Sequence, residues 1–524
     1  LIALETVTGI TLLAQVYALG YLEKDWGLAR FYGLMGFFEA ALSGIALSDS
    51  LFLSYALLEM LTLSTYLFVG FWYAQPLVVT AARDAFLTKR IGDVLLLMAL
   101  VALSSAGASF AFDSLPAWAQ TTHLPAWATA LIGLGLMAGP VGKCAQFPLH
   151  LWLDEAMEGP SPASILRNSV VVAAGAYVLI QLQPVLSLSP VVTTALISLG
   201  LVTALGSSLM AIAQIDLKRT LSHSTSAYLG LVFIAVGLGQ TQVALLLLFA
   251  HGLAKALLFM AAGAIMLTTT TQDLTEMGGL GTRMPATTLA FGVGAAGLVA
   301  SLPLGLFWAL DAWWQQTPSP PVGLLAVLLG VNALSALNLT RVFRLVFLGT
   351  PQVKTRRTPE VAWPMAVPMV AMLVINLVAP AIMIPWLNLD VSGRPAALGP
   401  LLLLASGLLG WGLGRSLALQ RAWSRSTQAN WRFIQDLLAY DFYMDRVYRV
   451  TVVQLVQVCS QITLWLDRHM VDGFVNLVGV STLFSGQLLK YSITGQSQVY
   501  ALTVVLGVLL LVAGWWWLGG WVNP

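Results

Sequence analysis

The fold is decided by residues 133–168, GLGLMAGPVGKCAQFPLHLWLDEAMEGPSPASILRN. Lys143 lies within an otherwise apolar helical pattern there, between Pro140 and Pro148. Proline removes a backbone donor and clashes with the preceding turn, so Pro140 predicts a break in the helix. Inside a membrane, a broken helix must be buried in protein or line a cavity, and a lysine needs a partner or water. The stretch therefore predicts a broken transmembrane helix with a functional lysine.

Composition places the whole chain in a membrane. Of its 524 residues, 58% are hydrophobic and only 9% are charged, whereas about a quarter are charged in soluble proteins. The apolar runs are about 20 residues long, which suits helices and exceeds barrel strands. We predict an all-α polytopic membrane protein. A net charge of +2 suggests no nucleic-acid partner, and two distant cysteines suggest neither a disulfide framework nor a metal site.

Apolar windows predict about 14 transmembrane helices. They lie near 1–20, 31–48, 51–73, 84–105, 125–150, 162–182, 190–213, 217–238, 241–268, 286–313, 321–348, 362–384, 396–414 and 498–519. A second break is expected at 302–305, where Pro303-Leu304-Gly305 resembles Pro140-Val141-Gly142. The breaks fall in two successive sets of five spans, and an odd number of spans inverts a repeat relative to its neighbour.

These spans suggest six regions along the chain. They are a first span and loop (1–30), a first repeat (31–182), an inverted second repeat (190–348), additional spans (349–414), an amphipathic region (415–497) and a C-terminal transmembrane helix (498–524). Because Leu1 lies within an apolar run, we expect an N-terminal piece to precede it.

Loop charges predict the orientation. We call the side that holds loop 21–30 side A and the opposite side B. Side A receives Lys24, Arg30, Arg83, Lys218, Arg219, Arg283, Lys354, Arg356 and Arg357, whereas side B receives little beyond Arg394. The positive-inside rule makes side A cytoplasmic.

The 415–497 region alternates charged and apolar residues. We expect an amphipathic helix over 436–495, interrupted at Gly473 and Gly479, that lies along the membrane on side A. The alternative is several short surface helices.

Ionisable residues recur inside the spans, and together they indicate a proton path. They are Glu59, Asp93, Lys143, Lys218, His223, His251, Lys255 and Asp311. A carboxylate near Lys143 would favour its ammonium form, so a change in their distance could load or release a proton. For any single residue, an ion pair that only fixes helix packing is the alternative. We find no haem, iron–sulfur, flavin or nucleotide motif, so we expect no redox chemistry in this chain.

Five motifs resemble the antiporter-like subunits of complex I, and in particular the largest of them, as it occurs in the NDH complexes of cyanobacteria and plastids. They are LFLSYALLEMLTLSTYLFVGFWY (51–73), AFLTKRIGDVLLL (85–97), GKCAQFPLHLWLDEAMEGPSPAS (142–164), AQIDLKRTLSHSTSAYLGL (213–231) and HGLAKALLF (251–259). The resemblance implies inverted five-helix repeats, a lateral helix, two preceding spans and proton translocation driven by quinone reduction. It places the iron–sulfur clusters and plastoquinone elsewhere in the complex, and it implies lipids, the adjacent antiporter-like subunit and other membrane subunits as neighbours.

The resemblance also assigns roles to residues. Glu59 and Lys143 would be the central pair of the first half-channel, with Asp93 as an accessory carboxylate. A polar axis would continue through Lys218, His251 and Lys255, and Asp311 would belong to the exit side.

Several positions depart from the family pattern. The usual histidine is Asn168, preceded by Arg167, the usual lysine is Leu310, and the usual tyrosine is His223. These changes resemble the carbon dioxide uptake variants of this largest subunit, more closely the inducible form. That implies a thylakoid membrane, ferredoxin as electron donor and a carbon dioxide-hydrating partner on the cytoplasmic face. The alternatives are the ordinary respiratory or cyclic-electron-flow version of the same subunit, an Mrp-type cation/proton antiporter subunit, or a structural spacer.

We expect Arg167 at the depth of Lys143. Two cations 8 Å apart repel by about 2 kcal/mol at an effective dielectric constant near 20. Since arginine stays charged, it would close the usual lateral proton step and bias Lys143 toward release. The alternative is an ion pair between Arg167 and Asp154, Glu155 or Glu158 in the preceding loop.

Overall fold

A computed structural model describes residues 1–317, 320–386, 398–416 and 429–519. A helix occupies each of the 14 expected positions. The helices span Ile2–Tyr21, Leu28–Leu47, Leu51–Val69, Pro76–Ser105, Ala126–Lys143, Ser161–Gln181, Pro190–Ala213, Leu217–Gly237, Thr241–Thr269, Pro285–Leu298 with Gly305–Gln316, Val322–Phe347, Trp363–Trp386, Leu398–Ser416 and Ser497–Gly519. Within the described ranges, 11 helices are long and apolar enough to cross a membrane, among them the long segment Asp441–Tyr491. The all-α membrane fold is thus confirmed.

The first break lies after Lys143, so the prediction that Pro140 ends the helix is wrong. The helix continues through Pro140 to Lys143 and is followed by irregular backbone over 144–151. The break forms where backbone groups find other partners, since Trp152 Nε1 donates to the carbonyl of Gly142 at 2.7 Å. The lysine therefore lies at a helix end, beside the irregular backbone.

The second break is confirmed at the expected place. One helix ends at Leu298, the next begins at Gly305, and turns occupy the interval. In each set of five spans, the broken span is the fourth. This common position agrees with two repeats built to one plan.

Contacts between loops support the alternation of sides A and B. On side A, Trp72 Nε1 donates to Asp25 at 2.9 Å, and Asp216 forms a β-bridge with Asp273. On side B, Ser50 forms a bridge with Ala111. Each contact joins loops that the sequence places on the same side. Arg394 lies outside the described residues.

Three helices form the centre of the fold and position the polar residues. The helix Leu217–Gly237, which we call the central helix, is 94% buried over its apolar window, and Ser161–Gln181 and Thr241–Thr269 are each 89% buried. Outer helices such as Trp363–Trp386 are 39% buried. Ionisable side chains on the three inner helices are therefore surrounded by protein.

The chain forms two compact units, Leu1–Met444 and Asp445–Pro524. The six regions proposed from the sequence remain predictions. The expected amphipathic helix begins later than residue 436, because a turn at Asp441–Tyr443 separates Ala429–Ala439 from it. Helical segments then follow without a gap from Met444–Tyr448 to Asp472–Ser492.

This continuous segment, which we call the lateral helix, overturns two expectations. Gly473 and Gly479 lie inside the helix Asp472–Ser492 and do not interrupt it. The alternative of several short surface helices is wrong as well. Its apolar side chains are exposed, as for Leu455 and Ile462, so it presents a long apolar surface. Residues 417–428 and 520–524 lie outside the described residues.

Candidate functional site

Lys143 is held by a carboxylate and a hydroxyl inside the protein. Its Nζ lies 2.6 Å from Asp93 Oδ1 and donates to Asp93 Oδ2 at 2.8 Å, and it also donates to Thr62. The side chains of Lys143 and Asp93 are 4% and 2% exposed. Thr62 Oγ1 in turn donates to Leu58 O. The lysine therefore has a buried carboxylate as its direct counter-ion.

Glu59 pairs with a different cation, which corrects the expected central pair. Its Oε2 accepts from Arg90, one turn before Asp93 on the same helix. The side chains of Arg90 and Glu59 are 38% and 19% exposed, so this pair lies nearer the protein surface than Lys143 and Asp93. Asp93 thus takes the position expected for Glu59, because it points at the end of the helix that carries Lys143.

Lys89 adds a second buried cation beside the first pair. Its Nζ lies 3.6 Å from the centroid of the Trp152 ring and donates to Thr65 Oγ1 at 3.1 Å. An aromatic face attracts a cation through its quadrupole. Lys89 lies within electrostatic range of Lys143 and Arg167, so cations on three helices converge near the first break.

The first break is connected to the central helix by polar side chains. Gln146 Nε2 donates to the carbonyls of Cys144 and Ser226 at 2.9 and 3.2 Å. Thr225 Oγ1 donates to Asn168 Oδ1 at 3.2 Å. Asn168, where the resemblance implies a histidine, therefore contacts the central helix through its amide oxygen.

Lys255 continues this line on the opposite side of the central helix. Its Nζ donates to the carbonyl of Leu221 at 2.6 Å and to Ser224 Oγ, and the residue is 0% exposed. His251 stands one turn earlier, with its ring centroid 6.2 Å from that of Tyr228. The Tyr228 hydroxyl donates to Leu298 O at 2.5 Å, at the edge of the second break.

Arg167 and Lys218 bind the same turn, residues 156–159. Arg167 donates to the carbonyl of Ala156, and Lys218 Nζ donates to the carbonyls of Met157 and Gly159 at 3.0 and 3.1 Å. Among the described residues, Arg167 forms no salt bridge, so the alternative of a loop ion pair is not what the structure contains. Arg167 is 2% exposed and lies in a π-helical turn, Arg167–Val171, which the sequence analysis did not predict.

His223 faces two carboxylates at the side A end of the central helix. Its Nε2 lies 2.9 Å from Asp154 Oδ2 and 3.3 Å from Asp441 Oδ1. Asp154 Oδ1 accepts from Ser222 Oγ at 2.6 Å. Burial would raise the pKa of the Asp154 carboxyl, but His223 and the Ser222 hydroxyl outweigh burial and hold that pKa below its ordinary value.

Asp311 lies past the second break, on the helix Gly305–Gln316, and is 3% exposed. Gln315 Nε2 donates to its Oδ2 at 2.7 Å. Nearby, Asn332 Oδ1 accepts from the backbone of Ala300 at 2.9 Å. The buried polar groups thus extend from the first break to beyond the second.

Sequence reasoning missed several members of this arrangement. Arg90, Thr62 and Lys89 were not assigned roles, and neither was Tyr228. A signal existed for Arg90, because it precedes Asp93 by three residues and so shares its helix face. No sequence signal brings Thr62 or Trp152 to a lysine, since those contacts depend on helix rotation.

Comparisons with known proteins relate the chain to membrane subunits of quinone oxidoreductases. A family model described as NADH:quinone oxidoreductase/Mrp antiporter, TM, matches residues 48–344. One described as NADH-Ubiquinone oxidoreductase (complex I), chain 5 N-terminus, matches residues 1–32.

Three curated relatives are each called NAD(P)H-quinone oxidoreductase subunit 5. The organellar chromatophore 2 protein of Paulinella chromatophora is 56% identical over 99% of this chain and 84% of the relative. The chloroplastic protein of Chara vulgaris is 30% identical over 96% and 83%. The organellar chromatophore 1 protein of Paulinella chromatophora is 29% identical over 97% and 84%.

Proposed function

We propose that this chain conducts protons in step with quinone reduction elsewhere in its complex. The chain belongs to the NAD(P)H-quinone oxidoreductase subunit 5 family, within the NADH:quinone oxidoreductase/Mrp antiporter membrane proteins. The observation that carries the proposal is the buried pair of Lys143 and Asp93 beside irregular backbone. A buried ion pair is weak evidence for stability, because desolvation offsets its attraction. Its occurrence at a helix break favours a functional role.

The pair offers a way to load and release a proton. While Asp93 stays within 3 Å, it favours the ammonium form of Lys143. Movement of the helix end that carries Lys143 away from Asp93 would remove that attraction, and the buried amine would then release its proton. Thr62 can hold the lysine in either state, because a hydroxyl both donates and accepts.

The onward route uses the central helix. From Lys143, polar groups continue through Gln146, which bonds to the Ser226 carbonyl of the central helix, and then through the Ser224 hydroxyl to Lys255. His251 and Tyr228 then lead toward the second break and Asp311. In this proposal Glu59 and Arg90 form the partly exposed entrance and bias Asp93 by their charges. The iron–sulfur clusters and plastoquinone belong to other subunits.

We further propose that the complex is the thylakoid form specialised for carbon dioxide uptake, in which ferredoxin donates electrons and a partner hydrates carbon dioxide on side A. One support is the pattern of relatives. The chain is 56% identical to one chromatophore protein of Paulinella and 29% identical to the other, about as distant as the chloroplast proteins. Two forms of the protein coexist there, and this chain falls with the second.

A second support is Arg167. It places a permanent charge directly before the position where the family resemblance implies a histidine. Arg167 and Lys143 both lie within electrostatic range of Lys89. Asn168 beside Arg167 bonds to Ser164 O and Thr225 and has no titratable group. Together they would close the usual lateral step at residue 168, which leaves the link through Gln146. They would also bias Lys143 toward release and orient its path toward side A, where hydration of carbon dioxide produces a proton.

Two variants test the two levels of this proposal. Lys143→Met should abolish proton movement in sealed vesicles while the complex assembles normally. Full proton movement in that variant would refute proton conduction by this chain.

The double variant Arg167→Ile with Asn168→His restores the common pattern. It should lower carbon dioxide uptake at limiting concentration without loss of assembly, and unchanged uptake would favour the ordinary respiratory or cyclic-electron-flow form.

Co-purification tests the partner directly. The intact complex, isolated under mild conditions, should carry a soluble protein that hydrates carbon dioxide, bound to side A, together with the adjacent antiporter-like subunit and the other membrane subunits. A complex with full electron-transfer activity and no such protein, from cells grown at low carbon dioxide, would refute the specialised assignment.

A further inference from the structure

Three ligand-type side chains meet on side A, apart from the Lys143 pair. They are Asp154 after the first break, His223 on the central helix and Asp441 in the turn before the lateral helix. One donor atom from each lies within 4.8 Å of the other two. Their side chains are 11%, 4% and 17% exposed. Three segments that are distant in sequence thus deliver an imidazole and two carboxylates to one point.

The three donor atoms are buried and face one another. His223 Nε2 lies 2.9 Å from Asp154 Oδ2 and 3.3 Å from Asp441 Oδ1. The remaining oxygen of Asp154 is fixed by Ser222, which leaves Oδ2 to face the imidazole. Two carboxylates and one imidazole thus converge on a common centre, and buried charges of this kind are either paired or bound to a metal.

We propose that Asp154, His223 and Asp441 form a binding site for a divalent transition-metal cation, with Zn²⁺ as the best match. Zinc binds imidazole and carboxylate at about 2.0–2.2 Å, and tetrahedral ligand atoms then lie about 3.3 Å apart. The distance of 3.3 Å from Nε2 to Asp441 Oδ1 equals that spacing, whereas Asp154 Oδ2, at 2.9 Å, would have to move slightly away to admit the cation. Two carboxylates also match the charge of the cation, and a fourth position stays open for solvent.

One charge opposes the site. Arg219 lies within electrostatic range of Asp154 and Asp441. Its guanidinium forms an ion pair with Glu158, with 3.8 Å between Nη2 and Oε1, and its backbone N–H donates to Asp216 Oδ1 at 2.9 Å. These acidic groups reduce its effect on the cation. Cysteine spacing had suggested no metal, but a site of histidine and aspartate from three segments has no such spacing.

A cation bound at this site would tether the turn before the lateral helix to the first break. Asp441, Phe442 and Tyr443 have φ of 51°, 56° and 54°, the left-handed region that is unfavourable for residues with a side chain. A cation at Asp441 would hold this turn against the central helix. Any effect on transport rests on the proposed function, whereas binding does not.

Metal content of the intact purified complex tests the proposal. The complex is treated with a chelator, dialysed against limiting Zn²⁺ and analysed by mass spectrometry for zinc per complex. His223→Gln should carry one zinc fewer than the wild type, and Asp441→Asn should bind at least tenfold more weakly. The control His123→Gln changes an exposed histidine and should keep the wild-type content. Equal zinc in all four proteins would overturn the proposal.

A spectroscopic test does not depend on loss of binding. Co²⁺ replaces Zn²⁺ in such sites, and a thiolate ligand adds a charge-transfer band to its spectrum. The His223→Cys complex loaded with Co²⁺ should show this band, whereas His123→Cys should not. Absence of the band in an assembled His223→Cys complex that binds Co²⁺ would place the cation elsewhere and overturn the site. Loss of the band on dialysis against Zn²⁺ would show that both ions use it.

Discussion

Replacement of Asp93 by asparagine separates the two carboxylates near Lys143. Asparagine keeps the size of the side chain and removes its charge. Lys143 Nζ would then have Thr62 and a neutral amide as partners, in an environment where its side chain is only 4% exposed. Glu59→Gln makes the same chemical change in the pair with Arg90, where the arginine is 38% exposed.

The two variants should have effects of different size on the charge at their sites, because the two ion pairs differ in burial. Loss of one partner from a buried ion pair costs about 3–5 kcal/mol, since the other charge stays desolvated. An exposed or partly exposed pair contributes about 0–1 kcal/mol. The free energy of the ammonium at Lys143 should therefore rise by about 3–5 kcal/mol in Asp93→Asn. With about 1.4 kcal/mol per factor of ten, the equilibrium between charged and neutral Lys143 shifts by about a hundredfold or more toward the neutral amine.

The assay is proton uptake by sealed membrane vesicles that hold the assembled complex, measured per quinone reduced. Asp93→Asn should lower this ratio more than Glu59→Gln, with equal amounts of complex on native gels. Asp84→Asn is the matched control, because Asp84 lies on the same helix and its side chain is 43% exposed. A normal ratio in Asp93→Asn, or a larger loss in Glu59→Gln, would refute the assignment of Asp93 as the counter-ion.

Three further outcomes follow from the structure. Thr62→Val should slow proton movement severalfold without loss of assembly, because a buried donor group on Lys143 loses its acceptor, and rescue by Thr62→Ser would tie the effect to the hydroxyl. Gly200→Ala should destabilise the fold by about 1–3 kcal/mol, since a Cβ there would lie 2.5 Å from Gly230 O, whereas Gly36→Ala, with nothing within 4 Å, should be tolerated in the same thermal-denaturation assay. A chain that ends after residue 430 should fail to assemble, and normal assembly on native gels would argue against a bracing role for the lateral helix.

Hydropathy predicted the helices because the membrane imposes one length and one solvent on all of them. About 20 apolar residues are needed to cross, whatever the neighbours, so 14 positions were identified without knowledge of packing. Loop charges predicted which loops share a side, and the pairing of Asp216 with Asp273 agrees. Breaks were harder to place. Pro140 remains helical because a proline kink within a packed helix does not require the helix to end there.

Ion-pair partners could not be predicted, because sequence gives depth along a helix and not rotation about its axis. Glu59 and Asp93 both lie in spans beside the one that carries Lys143, and only packing decides which carboxylate faces it. Close contact sets that rotation. Gly92, next to Asp93, lies so near Ala138 that a Cβ would collide with its carbonyl oxygen. The glycine brings the two helices together and directs Asp93 toward Lys143.

The central helix explains how polar residues near the two helix breaks can be linked. Its burial over 94% of the apolar window means that every face contacts protein. One face reaches the first break through the Ser226 carbonyl and Gln146, and another reaches Lys255 through Ser224. The helix can thus offer polar groups in both directions while it stays buried in protein. Because serine and threonine hydroxyls both donate and accept, Ser224 and Thr225 suit the proposed proton route between Lys143 and Lys255.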